Sequence, residues 1–174
     1  MADTFLSPLG DYSAVADFCG VKSMPPPAGF ERAVDAAARA VRSKCGPVLS
    51  EALTHRTYAT QDAVVLPYRV ASLTSVTPMG GTAETLTDYY ADGQLVRRVD
   101  GGAIAAGTIA YTSGWAHEDV PADLVGAGYE LARHLWRTQL GNQRTGDENG
   151  SAWLWPKQAE ALAADYMLAP LGFA

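Results

Sequence analysis

"TIAYTSGWAHEDVPADL", residues 108–124, passes from a strand to a helix within a few residues. Thr108 to Thr112 is rich in β-branched and aromatic residues. It alternates, with Ile109 and Tyr111 on one face and Thr108, Ala110 and Thr112 on the other, which predicts a half-buried strand. Ser113 and Gly114 break it. Pro121 is predicted at the first helical position, where its missing N–H costs nothing and its φ is already helical. Asp123 then puts a negative charge in the first turn, where the helix dipole favours it. A sheet therefore hands directly to a helix through a short polar joint containing Glu118 and Asp119.

Upstream of the joint, residues 49–115 read as a β block, with Thr, Val and Tyr frequent and helical periodicity absent. Val64, Leu66, Tyr68 and Val70 alternate, but Leu73 and Val76 fall out of phase, which predicts a bulge or kink near Ala71–Ser72. Asp92-Gly93, between the segments Leu86–Tyr90 and Leu95–Val99, predicts a hairpin. Gly80-Gly81 marks a loop, and Gly101-Gly102 and Gly107 punctuate the approach to the strand at 108. Four to six short strands are expected, forming one compact sheet.

Helices flank this block. Phe30, Val34, Ala37, Val41 and Cys45 recur at helical spacing, and Gly46-Pro47 ends the pattern. Leu124, Ala127, Leu131 and Leu135 repeat it after Pro121, with Gly128 allowing close packing. The sequence thus predicts an α+β fold: a small helical bundle, helices 28–46 and 121–140, interrupted by a β insertion at 49–115. Before it, residues 1–27 hold a short helix capped by Asp11 and stopped by Gly20, then a spacer with Pro25, Pro26 and Pro27. After it, residues 141–174 form a linker, Gly141–Ser151, and an extended C-terminal arm. In the arm Trp153-Leu154-Trp155 precedes Pro156, which can open a last helix running through Met167.

The 174 residues suit a single domain with appended segments, and 48% of them are apolar, enough for an ordinary core. Thirteen basic and 19 acidic residues give a net charge of −6. A nucleic-acid-binding chain normally shows a basic excess or cluster. The nearest feature, Arg97-Arg98, reads as the solvated and edge positions of a strand. Met1-Ala2-Asp3-Thr4 has no basic n-region with an apolar stretch behind it, and no run nears the roughly 20 apolar residues of a membrane span. The expectation is a soluble protein made in a cytoplasm, with Cys19 and Cys45 as small buried hydrophobes and a disulfide as the alternative.

Catalytic and cofactor signals are weak throughout. Gly102 to Gly107 spaces two glycines like a phosphate loop, but Thr108 and Ile109 stand where Lys and Ser or Thr are required. His117-Glu118-Asp119 are three adjacent residues that cannot share one face, so surface charge near a helix start is the better reading than a metal. His134, beside Arg133 and Arg137, reads as a solvated or interfacial histidine. Cys45 with His55 makes only a chance Cys–His pair. No catalytic residue, cofactor or metal is assigned. The aromatic residues beyond the linker are more informative: Trp153 and Trp155 either pack back on their own body or anchor on a neighbouring subunit.

Several segments together, "RSKCGPVL" (42–49), "VLPYRVASLTSVTPMGG" (65–81), "DYYADGQLVRR" (88–98), "IAYTSGW" (109–115) and "VPADLVGAGYELARHLW" (120–136), resemble the head–tail connector proteins of long-tailed bacteriophages. These are also called head-completion or adaptor proteins. "PKQAEALAADYMLAPLGFA" (156–174) is similar to the C-terminal arm of versions from phages of actinobacteria. The resemblance spans roughly residues 30 to 174 and rests on weak motifs taken together. It implies a structural virion protein without an active site, in a dodecameric ring under the portal. The ring would dock to the portal protein on one side and to a stopper or tail-completion protein on the other. Double-stranded DNA would pass through its channel without specific binding, and no membrane is involved. It also implies a location at the virion neck after assembly in the host cytoplasm. Trp153, Trp155, Tyr166 and Phe173 are the expected interface residues. The competing expectation is a β-rich tail-associated or carbohydrate-binding module that uses the insertion loops.

Overall fold

In chain order, two helices, six short strands and two further helices follow one another in a computed structural model, which describes residues 12–22, 27, 29–140 and 155–168. The helices are α1 (Tyr12–Cys19), α2 (Phe30–Cys45), α3 (Ala122–Leu135) and α4 (Lys157–Ala163). The strands are β1 (Glu51–Thr57), β2 (Val64–Val65), β3 (Ser72–Pro78), β4 (Tyr89–Asp92), β5 (Leu95–Arg98) and β6 (Gly107–Ser113). The fold is α+β. The chain divides into a helical unit, up to Cys45 and again over Glu118–Met167, and a β unit over Gly46–His117.

In the helical unit α1, α2 and α4 all pack against α3. The stripe Phe30, Val34, Ala37, Val41 and Cys45 of α2 is buried as its spacing dictates. Glu31 in the first turn of α2, and Arg42 and Lys44 in the last, match the helix dipole. Leu124, Ala127, Gly128 and Leu131 supply the facing surface of α3. Pro121 stands one position earlier than the sequence predicts. Its φ of −59° is helical but its ψ of 132° is extended, so it is the cap and Ala122 is the first helical residue. Upstream, His117–Asp119 forms a single 3-10 turn. Beyond Leu135 the chain widens into a π-helical turn, Trp136–Leu140, and the Trp136 ring meets Phe30 edge-on at 5.6 Å.

The β unit corrects the expectation of one sheet. The described residues form two three-stranded antiparallel sheets, ordered β1-β6-β3 and β2-β5-β4. The alternating run from Val64 leaves its sheet after Val65, because the β4–β5 turn captures the following residues. Leu66 N–H donates to the Gln94 carbonyl at 2.7 Å and Val70 N–H to the Gly93 carbonyl at 2.8 Å. The Gln94 side chain in turn donates to the carbonyls of Leu66 and Pro67, at 3.0 and 3.2 Å. The chain then joins the other sheet at Ser72. Its irregularity lies between Leu73 and Ser75, slightly beyond the predicted kink. The hairpin falls as expected: Asp92 pairs with Leu95, and Gly93 takes a φ of +60° at the first turn position, the pattern of a type II′ turn.

Inward residues of both sheets, Val76, Ile109 and Tyr111 from one and Val64, Tyr89 and Val96 from the other, close on Leu66 and Ile104 to form the core. The quoted strand β6 is central, and the segments that enter and leave the β unit run side by side. Trp115 N–H donates to the Val48 carbonyl at 2.9 Å, and Ser50 N–H donates to the Trp115 carbonyl at 2.8 Å. Gly114 makes this approach possible. Its φ is +92°, and a Cβ there would lie 2.6 Å from the carbonyl carbon of Leu49 and 3.0 Å from the carbonyl oxygen of Pro47.

Candidate assembly surfaces

The C-terminal segment is the first candidate. Trp153 and Phe173 lie outside the described residues. Trp155 and Tyr166 lie within them, and both are half-buried. Pro156 caps α4, and Ala159 and Ala163 on its inner side are fully buried. Small side chains there let α4 approach closely. A Cβ on Gly126 of α3 would stand 3.3 Å from the Leu162 Cδ1 atom. At the start of the segment, Lys44 Nζ sits 4.9 Å from the centre of the Trp155 ring and 3.5 Å from Glu160 Oε1. Both charged side chains of that pair are well exposed, so the attachment is a modest one. Of the interface residues expected from sequence, the structure therefore places Trp155 against α2 of its own chain.

The second candidate is the outward face of the β2-β5-β4 sheet. Register puts Val65, Leu95 and Asp92 in one row and Arg97 opposite Tyr90 in the next. Val99 continues β5, with its N–H donating to the Asp88 carbonyl at 2.8 Å. The adjacent arginines separate onto the two sides of the strand. Arg97 is exposed on the outward face. Arg98 is held: its Nε and Nη2 meet the Asp100 carboxylate at 3.0 and 2.8 Å, and Glu84 lies 3.4 Å from Nη1. The Tyr89 hydroxyl donates to the same Glu84, and Gly102 N–H donates to Asp100 at 2.8 Å. The hydrogen bond from Arg98, and then that from Gly102, lowers the Asp100 pKa to about 2. In sequence the arginine pair reads as strand positions, and the apolar face around Arg97 does not stand out. The signal was present as Leu95-x-Arg97-x-Val99, whose phase is fixed once the hairpin register is known.

Residues with chemical potential are scattered. Cys19 and Cys45 are buried thiols rather than a disulfide, and burial pushes the Cys19 thiol up to about 11, against the pull of Arg133 and Arg137. Such a thiol is a poor nucleophile. His55 lies midway along β1, paired with Ile109, in the β unit, whereas Cys45 ends α2 in the helical unit. His134 departs from the solvated reading, because its Nε2 is buried without a hydrogen-bond partner among the described residues. Glu130, also on α3, is buried and paired with Arg133. Among the described residues no group of three or more His, Cys, Asp or Glu could hold a metal ion, and no helix is long and apolar enough to cross a membrane.

No family model matches the chain, and no curated protein sequence matches it. Solved structures do. The chain is similar to one in the neck of a native GTA (gene transfer agent) particle computed with C12 symmetry, with a TM-score of 0.59 at 18% identity. It is also similar to one in the neck of an empty GTA particle computed with C6 symmetry, with a TM-score of 0.57 at 17% identity. In both cases 92% of this chain and 91% of the other are covered. At these identities the similarity is one of fold.

Proposed function

We propose that this chain is a structural subunit of a phage-like particle neck, a head–tail connector of the kind found in long-tailed phages of actinobacteria. The observation that carries the reading is the end-to-end similarity of fold to chains from necks computed with C12 and C6 symmetry. Copies of the chain form a closed ring, a dodecamer, between the portal protein and a stopper or tail-completion protein. A closed ring needs heterologous contacts, each subunit presenting two different surfaces. Double-stranded DNA passes through the ring, and a net charge of −6 suits a channel that must not retain phosphate. The work is done by surfaces: residues 28–140 form the connector body, and the C-terminal segment with Trp153, Trp155, Tyr166 and Phe173 contributes contacts to neighbours. The subunit is assembled in the host cytoplasm and ends at the virion neck.

Particles purified with this chain present test the reading directly. Antibody–gold label against the chain should sit at the head–tail junction, and quantitative mass spectrometry should give copies in the ratio of a twelvefold ring, as in the C12 neck. Label on the tail shaft or fibres would refute it and favour a tail-associated module.

A further inference from the structure

The outward face of the β2-β5-β4 sheet has the wrong chemistry for a surface left in water. Strands with one face in solvent normally alternate apolar inside and polar outside. Here Val65, Tyr90 and Val99 are 49%, 45% and 64% exposed, and Leu95 lies among them. Arg97 stands at the centre of the patch. It has no ion pair among the described residues, whereas Arg98 on the opposite side is fully engaged. Asp92, opposite Leu95, lies at the β4 edge of the same face. An apolar field around one arginine and one tyrosine, with one acid at its edge, has the composition of an interface centre.

We infer that this face is the contact made with the next copy of the same chain, an inference that rests on the ring reading above. The charge distribution selects the occupant. Nucleic acid is disfavoured, because a single arginine faces outward here, with Asp92 at the edge of the same face. A second copy matches: the chain carries 19 acidic against 13 basic residues, so a neighbour offers carboxylates to an Arg97 that forms no ion pair within its own subunit among the described residues. The same arginine decides the geometry. A two-fold contact through this face would bring two Arg97 guanidiniums together at its centre, with like charges opposed. A head-to-tail contact instead places Arg97 on a different, acidic surface of the neighbour, and such contacts close into rings. The C12 and C6 symmetries of the similar necks are of that closed kind.

The test places a photo-crosslinking amino acid at Tyr90 of the full-length chain and irradiates assembled necks. The expected product is a covalent dimer of this chain, with higher multiples on longer exposure. Arg97→Glu should lower the assembled fraction by roughly tenfold or more while leaving the melting temperature unchanged. Val65→Ser with Val99→Ser should act in the same direction. Necks that contain this chain but yield only crosslinks to another protein, or none, overturn the inference and leave the ring reading standing. Normal assembly of Arg97→Glu does the same. A chain found outside the neck, and monomeric at every concentration, overturns both.

Discussion

Thr57 and Gly107 are locked by a reciprocal pair of hydrogen bonds in which the Gly107 N–H donates to the Thr57 hydroxyl at 2.9 Å and that hydroxyl donates to the Gly107 carbonyl at 3.3 Å. Both residues are buried, at the end of the sheet where β1 and β3 flank β6. Gly107 has no room for a side chain: a Cβ would run into the Thr77 carbonyl oxygen and stand 2.8 Å from the Pro78 Cα. Backbone on that side cannot rotate away. Gly107→Ala should therefore destabilise the β unit by about 3 kcal/mol, at the upper end of overpacking costs. Thr57→Val should cost about 1–2 kcal/mol through the buried groups left unpaired. Urea unfolding followed by near-UV circular dichroism measures both. A Gly107→Ala protein as stable as its parent would mean that β3 is not held as tightly as described.

The pairing of Thr57 with Gly107 also shows where sequence reading stops. The alternation Thr108 to Thr112 was legible, because a half-buried central strand must put Ile109 and Tyr111 on one side. The stripe from Phe30 to Cys45 was legible because its 3.6-residue period ends at Gly46. The division into two sheets was not. Val64 to Val70 looks like one strand, and only the Gly93 and Gln94 carbonyls, more than twenty residues away, show why it departs. The assembly surfaces were half legible in the same way. Trp155 stands out by its position after a linker, but its partner Lys44 is far away in sequence. Tyr90 and Arg97 become neighbours only through register.

The Arg98–Asp100 fork gives an acid titration with a definite sign. The folded pKa of Asp100 falls from 3.8 to about 2, so its contribution is present above the unfolded value and is lost as pH drops towards about 2. Carboxyl-carbon NMR should show the Asp100 midpoint near the lower value. Arg98→Ala should return it towards 3.8, since the arginine is the larger cause. Hydrogen exchange at the Gly102 amide should quicken in Asp100→Ala, which removes its acceptor. A midpoint at 3.8 in the parent protein would show that the fork does not persist in solution.

Cys19 should be inert. Burial raises its thiol from 9.0 to about 11, so the neutral form is favoured in the fold. Its contribution to stability is complete below pH 9 and is lost as pH rises towards about 11. At pH 8 a small alkylating reagent should label Cys19 at least tenfold more slowly than it labels the denatured chain, in line with the lost thiolate fraction. Arg133→Ala should slow it further by removing a charge that favours the thiolate. Rapid labelling of the native protein would place the thiol in water.

The C-terminal helix α4 should be part of the subunit's own stability as well as a route to its neighbours. Ala159 and Ala163 are fully buried, and Leu162 lies over Gly126 of α3. Removing residues 155–174 uncovers that side of α3. At about 0.8 kcal/mol for each methyl-sized group returned to water, a few such groups amount to roughly 2–4 kcal/mol. Gly126→Phe should mimic part of this loss by wedging α4 away, and a limited protease should then cut within α4 while α2 and α3 stay protected. Lys44→Ala should be far milder, under about 1 kcal/mol, because its pair with Glu160 is exposed and the contact with the Trp155 ring is a surface one. Thermal melts of the three variants therefore rank the contributions: truncation lowest, Gly126→Phe next, Lys44→Ala close to the parent. If the truncated chain melts with the parent, α4 contributes nothing to the subunit, and its buried alanines must serve a partner's surface instead.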